Sequence, residues 1–184
     1  MYKRFLSNVI LHKTGTGKAI IVVGPRQVGK TTLINNLLRG KEFLFLDCDD
    51  PSVRSTLSNI NTEELRSIIR NKTLVFIDEA QRIRGIGLTL KIITDQFKHV
   101  QLFVSGSSSF DLSNELNEPL TGRKWEYELL PVSWEEFEDH HGRITAEQQL
   151  ENRLLYGFYP DVLNNQGSER DILKQLEKTK GLIF

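Results

Sequence analysis

Gly24-Pro25-Arg26-Gln27-Val28-Gly29-Lys30-Thr31 satisfies the pattern G-x-x-x-x-G-K-[ST] at every fixed position. An apolar run, Ala19 to Val23, leads into it, and Thr32-Leu33-Ile34-Asn35-Asn36-Leu37-Leu38, a helix-compatible stretch, follows. Strand, glycine loop and helix in that order are the context in which the pattern carries meaning. Successive backbone N–H groups of such a loop curve around a phosphate, and the following helix turns its positive end toward the same anion. The nucleotide-contacting stretch therefore comprises Gly24, Pro25, Arg26, Gln27, Val28, Gly29, Lys30, Thr31 and Thr32. Lys30 is expected to reach the β- and γ-phosphates of a nucleoside triphosphate, and the Thr31 hydroxyl to hold Mg²⁺. A second Gly-Lys pair, in Thr14-Gly15-Thr16-Gly17-Lys18-Ala19, lacks the upstream glycine and the hydroxyl after lysine, and reads as a turn.

Working outward, short apolar runs recur at Ala19–Val23, Phe43–Leu46, Leu74–Ile77, Gln101–Val104 and Trp125–Leu130. They are near-continuous rather than alternating, which suits strands of a parallel sheet covered on both faces. Segments with three- and four-residue apolar spacing separate them, at Thr31–Arg39, Thr62–Ile69 and Leu88–Phe97. Asn61-Thr62-Glu63-Glu64 and Asp50-Pro51 are helix starts, the first with carboxylates that favour the macrodipole and the second with proline at the first helical position. The expected fold class is α/β, a three-layer domain. A core over residues 1–131 is followed, after Pro131, by a helical segment over 132–184. That segment holds an acidic helix from Ser133 and helices at Ala146–Leu155 and Ser168–Thr179. The end, Gly181-Leu182-Ile183-Phe184, is apolar, which fits either a chain continuing past residue 184 or a tail packed on the core.

Leu74-Val75-Phe76-Ile77-Asp78-Glu79 is an apolar strand ending in two carboxylates, at the sheet edge where ligands gather in open α/β folds. Asp78 is expected to share the metal with Thr31, and Glu79 to polarise an attacking water. Gln101-Leu102-Phe103-Val104-Ser105-Gly106-Ser107-Ser108-Ser109 ends a further strand in small hydroxyl residues. Ser107 or Ser108 is the candidate sensor of the γ-phosphate; a serine-rich turn capping the next helix is the alternative. Arg123, in Leu120-Thr121-Gly122-Arg123, offers a permanently charged guanidinium for a phosphate. It fits an arginine finger, a solvated turn residue or a partner of Glu126.

The remaining chemistry-bearing residues read as structural. Asp47, Asp49 and Asp50 lack the regular spacing and turn glycine of a calcium loop and suit helix capping. His140-His141 reads as an exposed helix end, and Trp125, Tyr127, Trp134 and Phe137 as packing between the sheet and the helical segment. The one cysteine, Cys48, excludes an internal disulfide and a cysteine zinc cage, reads as buried, and suits a reducing, cytoplasmic setting. Of 184 residues, 24 are Lys or Arg and 24 are Asp or Glu, so no bulk field draws the chain to nucleic acid or an anionic membrane. No apolar run approaches the ~18 residues of a membrane span.

Taken in order, Gly-Pro-Arg-Gln-Val-Gly-Lys-Thr-Thr-Leu, the strand ending Asp-Glu-Ala-Gln, Ser-Gly-Ser-Ser-Ser-Phe and Leu-Thr-Gly-Arg resemble the prokaryotic AAA-type ATPases of the AAA_14 group, which usually carry a C-terminal DUF4143 domain. The resemblance covers Ala19 to Glu136. Gly157-Phe158-Tyr159-Pro160 is similar to a Gly-Gly-Phe/Tyr-Pro turn near the start of that second domain, with Tyr156 standing where the family has a first glycine. The resemblance implies an ASCE P-loop core with strand order 5-1-4-3-2, Ser107 at the end of strand four, adenine as the base, and a chain continuing past residue 184. The expected activity is Mg²⁺-dependent hydrolysis of ATP to ADP and phosphate. Glu79, Lys30, Ser107 and Arg123 would be the catalytic groups, and in a homo-oligomer Arg123 would complete the site of a neighbouring copy. A slow ATP-gated switch and, less well supported, a small-molecule kinase are the alternatives. Nucleic-acid and membrane partners find no support in these residues.

Overall fold

The computed structural model describes residues 1–107, 116 and 118–179. Five strands form one all-parallel sheet: β1 (Ala19–Gly24), β2 (Leu44–Asp47), β3 (Leu74–Asp78), β4 (Gln101–Ser107) and β5 (Lys124–Glu128), in the order β2-β3-β4-β1-β5. This is the expected order 5-1-4-3-2 read from the other edge. Strand β1 lies between β4 and β5, with Val22 beside Ser105 on one side and Tyr127 on the other. All six of its residues are buried.

Alternation along the strands divides the core into two. Ile21, Val23, Val75, Ile77 and Val104 face one side, where α3 (Pro51–Leu57), α4 (Thr62–Ile69) and α5 (Ile86–Gln96) supply Leu57, Leu65, Ile69, Leu90 and Ile93. Ile20, Val22, Phe76 and Phe103 face the other, against Ile10 of α1 (Leu6–Lys13) and Leu33 and Ile34 of α2 (Lys30–Leu37). Each such Ile, Leu, Val or Phe contributes about 1.5–3 kcal/mol through burial.

The helix starts follow from their caps. Asp50 accepts from Ser52 N at 2.7 Å with Pro51 next. Asn61 and Glu64 form a capping box at α4, and Ser133 and Glu136 form another at the helix Trp134–His141. Three features depart from expectation. The segment Ala146–Leu155 is broken at Gln149 into Arg143–Gln148 and Leu150–Tyr156. Helices also form at Leu6–Lys13 and Pro160–Asn164. The former escapes a periodicity reading because Ile10 is its single buried residue. Only β1 is buried throughout, β3 and β4 are buried but for one terminal residue each, and β2 and β5 sit at the sheet's edges and are partly exposed.

The C-terminal helices gather around a third cluster, Tyr2, Val132, Phe137, Ala146 and Leu163, with Trp134 and Phe158 against it. Trp134 and Phe137 thus pack among the helices and the N-terminal segment rather than against the sheet, and Trp125 does not join them. It lies on edge strand β5, with the ammonium groups of Lys13 and Lys18 each 4.4 Å from its ring centroid. His141 is likewise not a free helix end. Its ring lies 4.5 Å from that of Phe137, and its Nε2 is 2.9 Å from the Tyr2 hydroxyl. Among the described residues, no helix is long and apolar enough to cross a membrane.

Arg4 joins the chain's start to its core. Its Nε donates to Glu136 Oε2 at 2.8 Å, and its Nη groups donate to Val28 O at 3.0 Å and Leu130 O at 2.6 Å. Glu136 also accepts from Phe5 N at 2.7 Å and Ser133 N at 3.1 Å. Both side chains are about nine-tenths buried, so removing one leaves the other charge without a partner. Arg4→Met is therefore expected to destabilise the fold by about 3–5 kcal/mol, read from urea unfolding; a loss below about 1 kcal/mol, the range of an exposed pair, would contradict this.

Candidate functional site

The loop between β1 and α2 adopts a conformation with repeated positive φ: Gly24 at 152°, Gln27 at 64° and Gly29 at 94°. Such alternation turns consecutive N–H groups to one side and makes an anion-binding concavity. The first-turn amides of α2 open on the same side, having no preceding turn to donate to. Gly24 is fixed for a second reason. A Cβ there would lie 2.2 Å from Leu129 O, because the chain leaving β5 passes directly over it.

Lys30, at the start of α2, is buried. Its Nζ donates to Gly24 O at 3.0 Å and Pro25 O at 2.9 Å, which folds the side chain back over its own loop. Burial lowers its pKa, and the nearby carboxylates of Glu79 and Asp78 oppose that shift. An anion in the loop would relieve the same desolvation.

Asp78 ends β3 and is the polar centre of the site. Thr31 Oγ1 donates to its Oδ2 at 2.8 Å, and the wholly buried Ser105 donates to its Oδ1. Glu79 N lies 3.2 Å from the same Oδ1. The carboxylate is thereby oriented from three directions, with one oxygen beside the Thr31 hydroxyl. A hydroxyl and a carboxylate at this separation fit Mg²⁺, which keeps several waters and takes one or two protein oxygens beside those of a phosphate. Among the described residues no cluster of three His, Cys, Asp or Glu side chains is arranged to hold a metal, so such an ion would depend on nucleotide oxygens.

Glu79 follows in the left-handed region, φ 52°. That conformation turns the chain sharply at the strand end into the 3₁₀ turn Ala80–Arg82. Gln81 Nε2 donates to Glu79 Oε2, and Gln81 Oε1 accepts from Ser107 N at 3.0 Å. One carboxamide thus links the candidate base to the end of β4. Ser107 sits beside Gly24 in the sheet register. Ser108 lies outside the described residues.

Arg123 takes a different place. Its carbonyl accepts from Ala19 N at 2.9 Å, at the edge of the sheet where β1 and β5 begin. Its Nε bonds Asp95 Oδ1 at 2.6 Å, holding the Asp95 carboxyl below its usual range. The length of β1, about 17 Å at ~3.3 Å per residue, separates this edge from the loop. Arg123 therefore does not reach the loop of its own chain, and its ion partner is Asp95 rather than Glu126. Arg26 is exposed at the loop's rim.

Two adjoining cavities flank the loop. One, of about 360 Å³, is lined by Gln27, Lys30, Thr31 and Glu79 and, from the helix Pro160–Asn164, by Asp161 and Asn164. The other, of about 420 Å³, is lined by Tyr2, Arg4, Val28, Leu33 and Leu37 among others, and is mostly apolar. Sequence reading missed Ser105, Gln81, the N-terminal segment and the helix Pro160–Asn164. Gln81 had a signal in Asp78-Glu79-Ala80-Gln81. Ser105 was hidden by attention to the hydroxyl residues beyond it, and the helix by its length of five residues.

The acidic cluster after β2 behaves as capping and pairing. Asp47 accepts from Asp49 N at 2.8 Å, and Asp49 pairs with Arg82 at 2.9 Å. Cys48 between them is buried, with its N–H donating to Asp78 O at 3.0 Å.

The family model described as AAA domain matches residues 16–138. An uncharacterised protein of Methanocaldococcus jannaschii, MJ1544, is 24% identical over 180 residues, covering 86% of this chain and 40% of its own length. An uncharacterised protein of Mycobacterium bovis, Mb2031c, is 30% identical over 105 residues, covering 56% of this chain and 23% of its own. The chain thus spans well under half the length of these curated relatives. The Walker-type ATPase PABY2304 of Pyrococcus abyssi has the same fold, with a TM-score of 0.63 at 19% identity, covering 98% of this chain and 73% of that one.

Burial, with the charges of Asp47 and Asp78 adding to it, pushes the Cys48 thiol from 9.0 up to about 12. A folded-state value above the unfolded one adds stability below pH about 9 that is lost as pH rises toward 12. Cys48 should stay unmodified by iodoacetamide at pH 8.5 in the native protein and react fully in denaturant, as read by mass spectrometry. Rapid native labelling would contradict this.

Proposed function

The chain belongs to the AAA_14 family of AAA domains, and on that footing we propose that it binds Mg-ATP and hydrolyses it to ADP and phosphate. The observation that carries the reading is the 2.8 Å contact between Thr31 Oγ1 and Asp78 Oδ2, with Lys30 and Glu79 lining the same cavity as Thr31. In this reading one stretch of sequence supplies the phosphate loop with its metal hydroxyl, and a second, Asp78-Glu79, supplies the metal carboxylate and the carboxylate for water.

In this reading the loop amides of Gln27, Val28 and Gly29 cradle the phosphates. Lys30 exchanges its bonds to Gly24 O and Pro25 O for β- and γ-phosphate oxygens. Thr31 and Asp78 would hold Mg²⁺, which when bound neutralises charge developing on those oxygens. Glu79, held by Gln81, accepts a proton from the attacking water. Ser107, beside Gly24, senses the terminal phosphate. Adenine, the base implied by the family resemblance, occupies the apolar cavity beside Val28 and Leu33. Little covalent chemistry is asked of the protein; positioning and electrostatics provide the acceleration.

Arg123 enters this scheme only from a second copy. A homo-oligomer that places it against a neighbour's terminal phosphate would break its bond to Asp95. A cytoplasmic location suits the free thiol of Cys48. A slow, ATP-gated switch is the second reading, favoured by Arg4, which bonds both Val28 O in the loop and Glu136 in the C-terminal segment. Loop movement on binding would then shift the C-terminal helices.

Phosphate release from Mg-ATP separates the two. Wild type should turn over, and Glu79→Gln should lose at least about 100-fold in rate while still binding ATP. A rate per molecule that rises with protein concentration is expected if Arg123 acts between copies. Unchanged hydrolysis by Glu79→Gln would sink the assignment of the base, and very slow wild-type turnover with tight ATP retention would favour the switch.

A further inference from the structure

The two cavities beside the phosphate loop share four lining residues, Gly29 and Thr32 on one side and Pro160 and Asn164 on the other. Residues found only in the smaller cavity, Lys30, Thr31 and Glu79, belong to phosphate chemistry. Several found only in the larger, Val28, Leu33 and Leu37, give it the apolar lining that suits a base. A nucleotide spanning both must cross the shared boundary with its sugar. The polar side chains at that boundary are the Thr32 hydroxyl and the Asn164 carboxamide.

We propose that Asn164 is a specificity-determining residue that reads the ribose hydroxyls of the bound nucleotide, so that the site prefers ribonucleotides to deoxyribonucleotides. This rests on the proposed binding of a nucleoside triphosphate by the loop. A ribose diol presents two groups that each donate and accept, and a carboxamide offers one acceptor and two donors on adjacent atoms, a matched set. Among the described residues the Asn164 side chain makes no hydrogen bond, whereas its neighbour Asn165 is committed, donating to Asp161 O and Oδ1 at 2.9 Å each. Asn164 is exposed, but the helix carrying it is anchored. Val162 and Leu163 are buried, Leu163 within the cluster around Tyr2 and Phe137, and Leu163 N donates to Tyr159 O at 3.0 Å. The carboxamide is therefore presented to the boundary from a fixed backbone.

The placement also assigns work to the C-terminal segment. The sugar-reading group lies more than 130 residues along the chain from Lys30, so ribose recognition depends on the helix Pro160–Asn164 staying docked. A chain ending before Pro160 would keep the phosphate loop and lose the preference for ribose.

The test is equilibrium binding, by calorimetry, of ATP, 2′-deoxy-ATP and 3′-deoxy-ATP to wild type, Asn164→Ala and Lys30→Ala. One hydrogen bond of ordinary net strength, about 0.5–1.5 kcal/mol, corresponds to a roughly 2- to 12-fold loss for at least one deoxy analogue with wild type. Asn164→Ala should bind ATP weaker by that factor and show no further loss with the analogues. As an exposed residue at a helix end, Asn164 can be truncated without unfolding the chain, and an unchanged melting temperature checks this. Wild type binding all three ligands alike, or Asn164→Ala keeping the discrimination, would overturn the inference while leaving the phosphate-loop reading intact. No ATP binding by wild type, or binding unaffected by Lys30→Ala, would overturn both.

Discussion

Everything at the site depends on β1 being enclosed. The strand is bonded to a neighbour on each edge and covered by side chains on each face. Its end is held as firmly as its middle. Leu129 N donates to Val23 O at 2.7 Å, and the Leu129 carbonyl lies where any Cβ on Gly24 would have to be. A loop leaving so constrained a strand has little freedom, and its positive-φ residues then fix where the amides point. The phosphate cradle follows from burial of a sheet before it follows from any charge.

The same enclosure sets the other functional groups in line. Because the sheet is parallel, the C-terminal ends of β1, β3 and β4 lie on the same side, which brings Gly24, Asp78 and Ser107 together although sequence keeps them apart. It sends the starts of β1 and β5 to the opposite side, and Arg123 with them. One topological fact thus gathers the candidate phosphate and metal groups and sets the arginine out of their reach within one chain. Arg4 adds a link across layers. Its guanidinium spans the loop carbonyl of Val28, the exit from β5 and the start of the C-terminal helices.

Much of this was legible in the residues. The five strands, their near-continuous apolar character at the centre, and the phosphate loop are local signals, and Asp50 and Asn61 announced their helices through short side chains that bond the backbone. The strand order came from resemblance, since pairing between distant strands leaves no local mark. What remained hidden was of two physical kinds. Ser105 and Gln81 act through tertiary contacts, bonding Asp78, Glu79 and Ser107. Short helices such as Pro160–Asn164 are stabilised by packing rather than by their own periodicity. Arg123 shows the same limit from the other side. Its motif left a finger, a turn residue and an ion partner open, and its position before an edge strand places Asp95 beside it.

In the proposed hydrolysis the two carboxylates at the end of β3 serve attack by water on the terminal phosphorus of ATP. Turnover of Mg-ATP in ¹⁸O-enriched water, with mass analysis of both products, tests it directly. The account predicts solvent ¹⁸O in the inorganic phosphate and none in ADP. Solvent oxygen in ADP, or loss of the terminal phosphoryl group without inorganic phosphate, would contradict it.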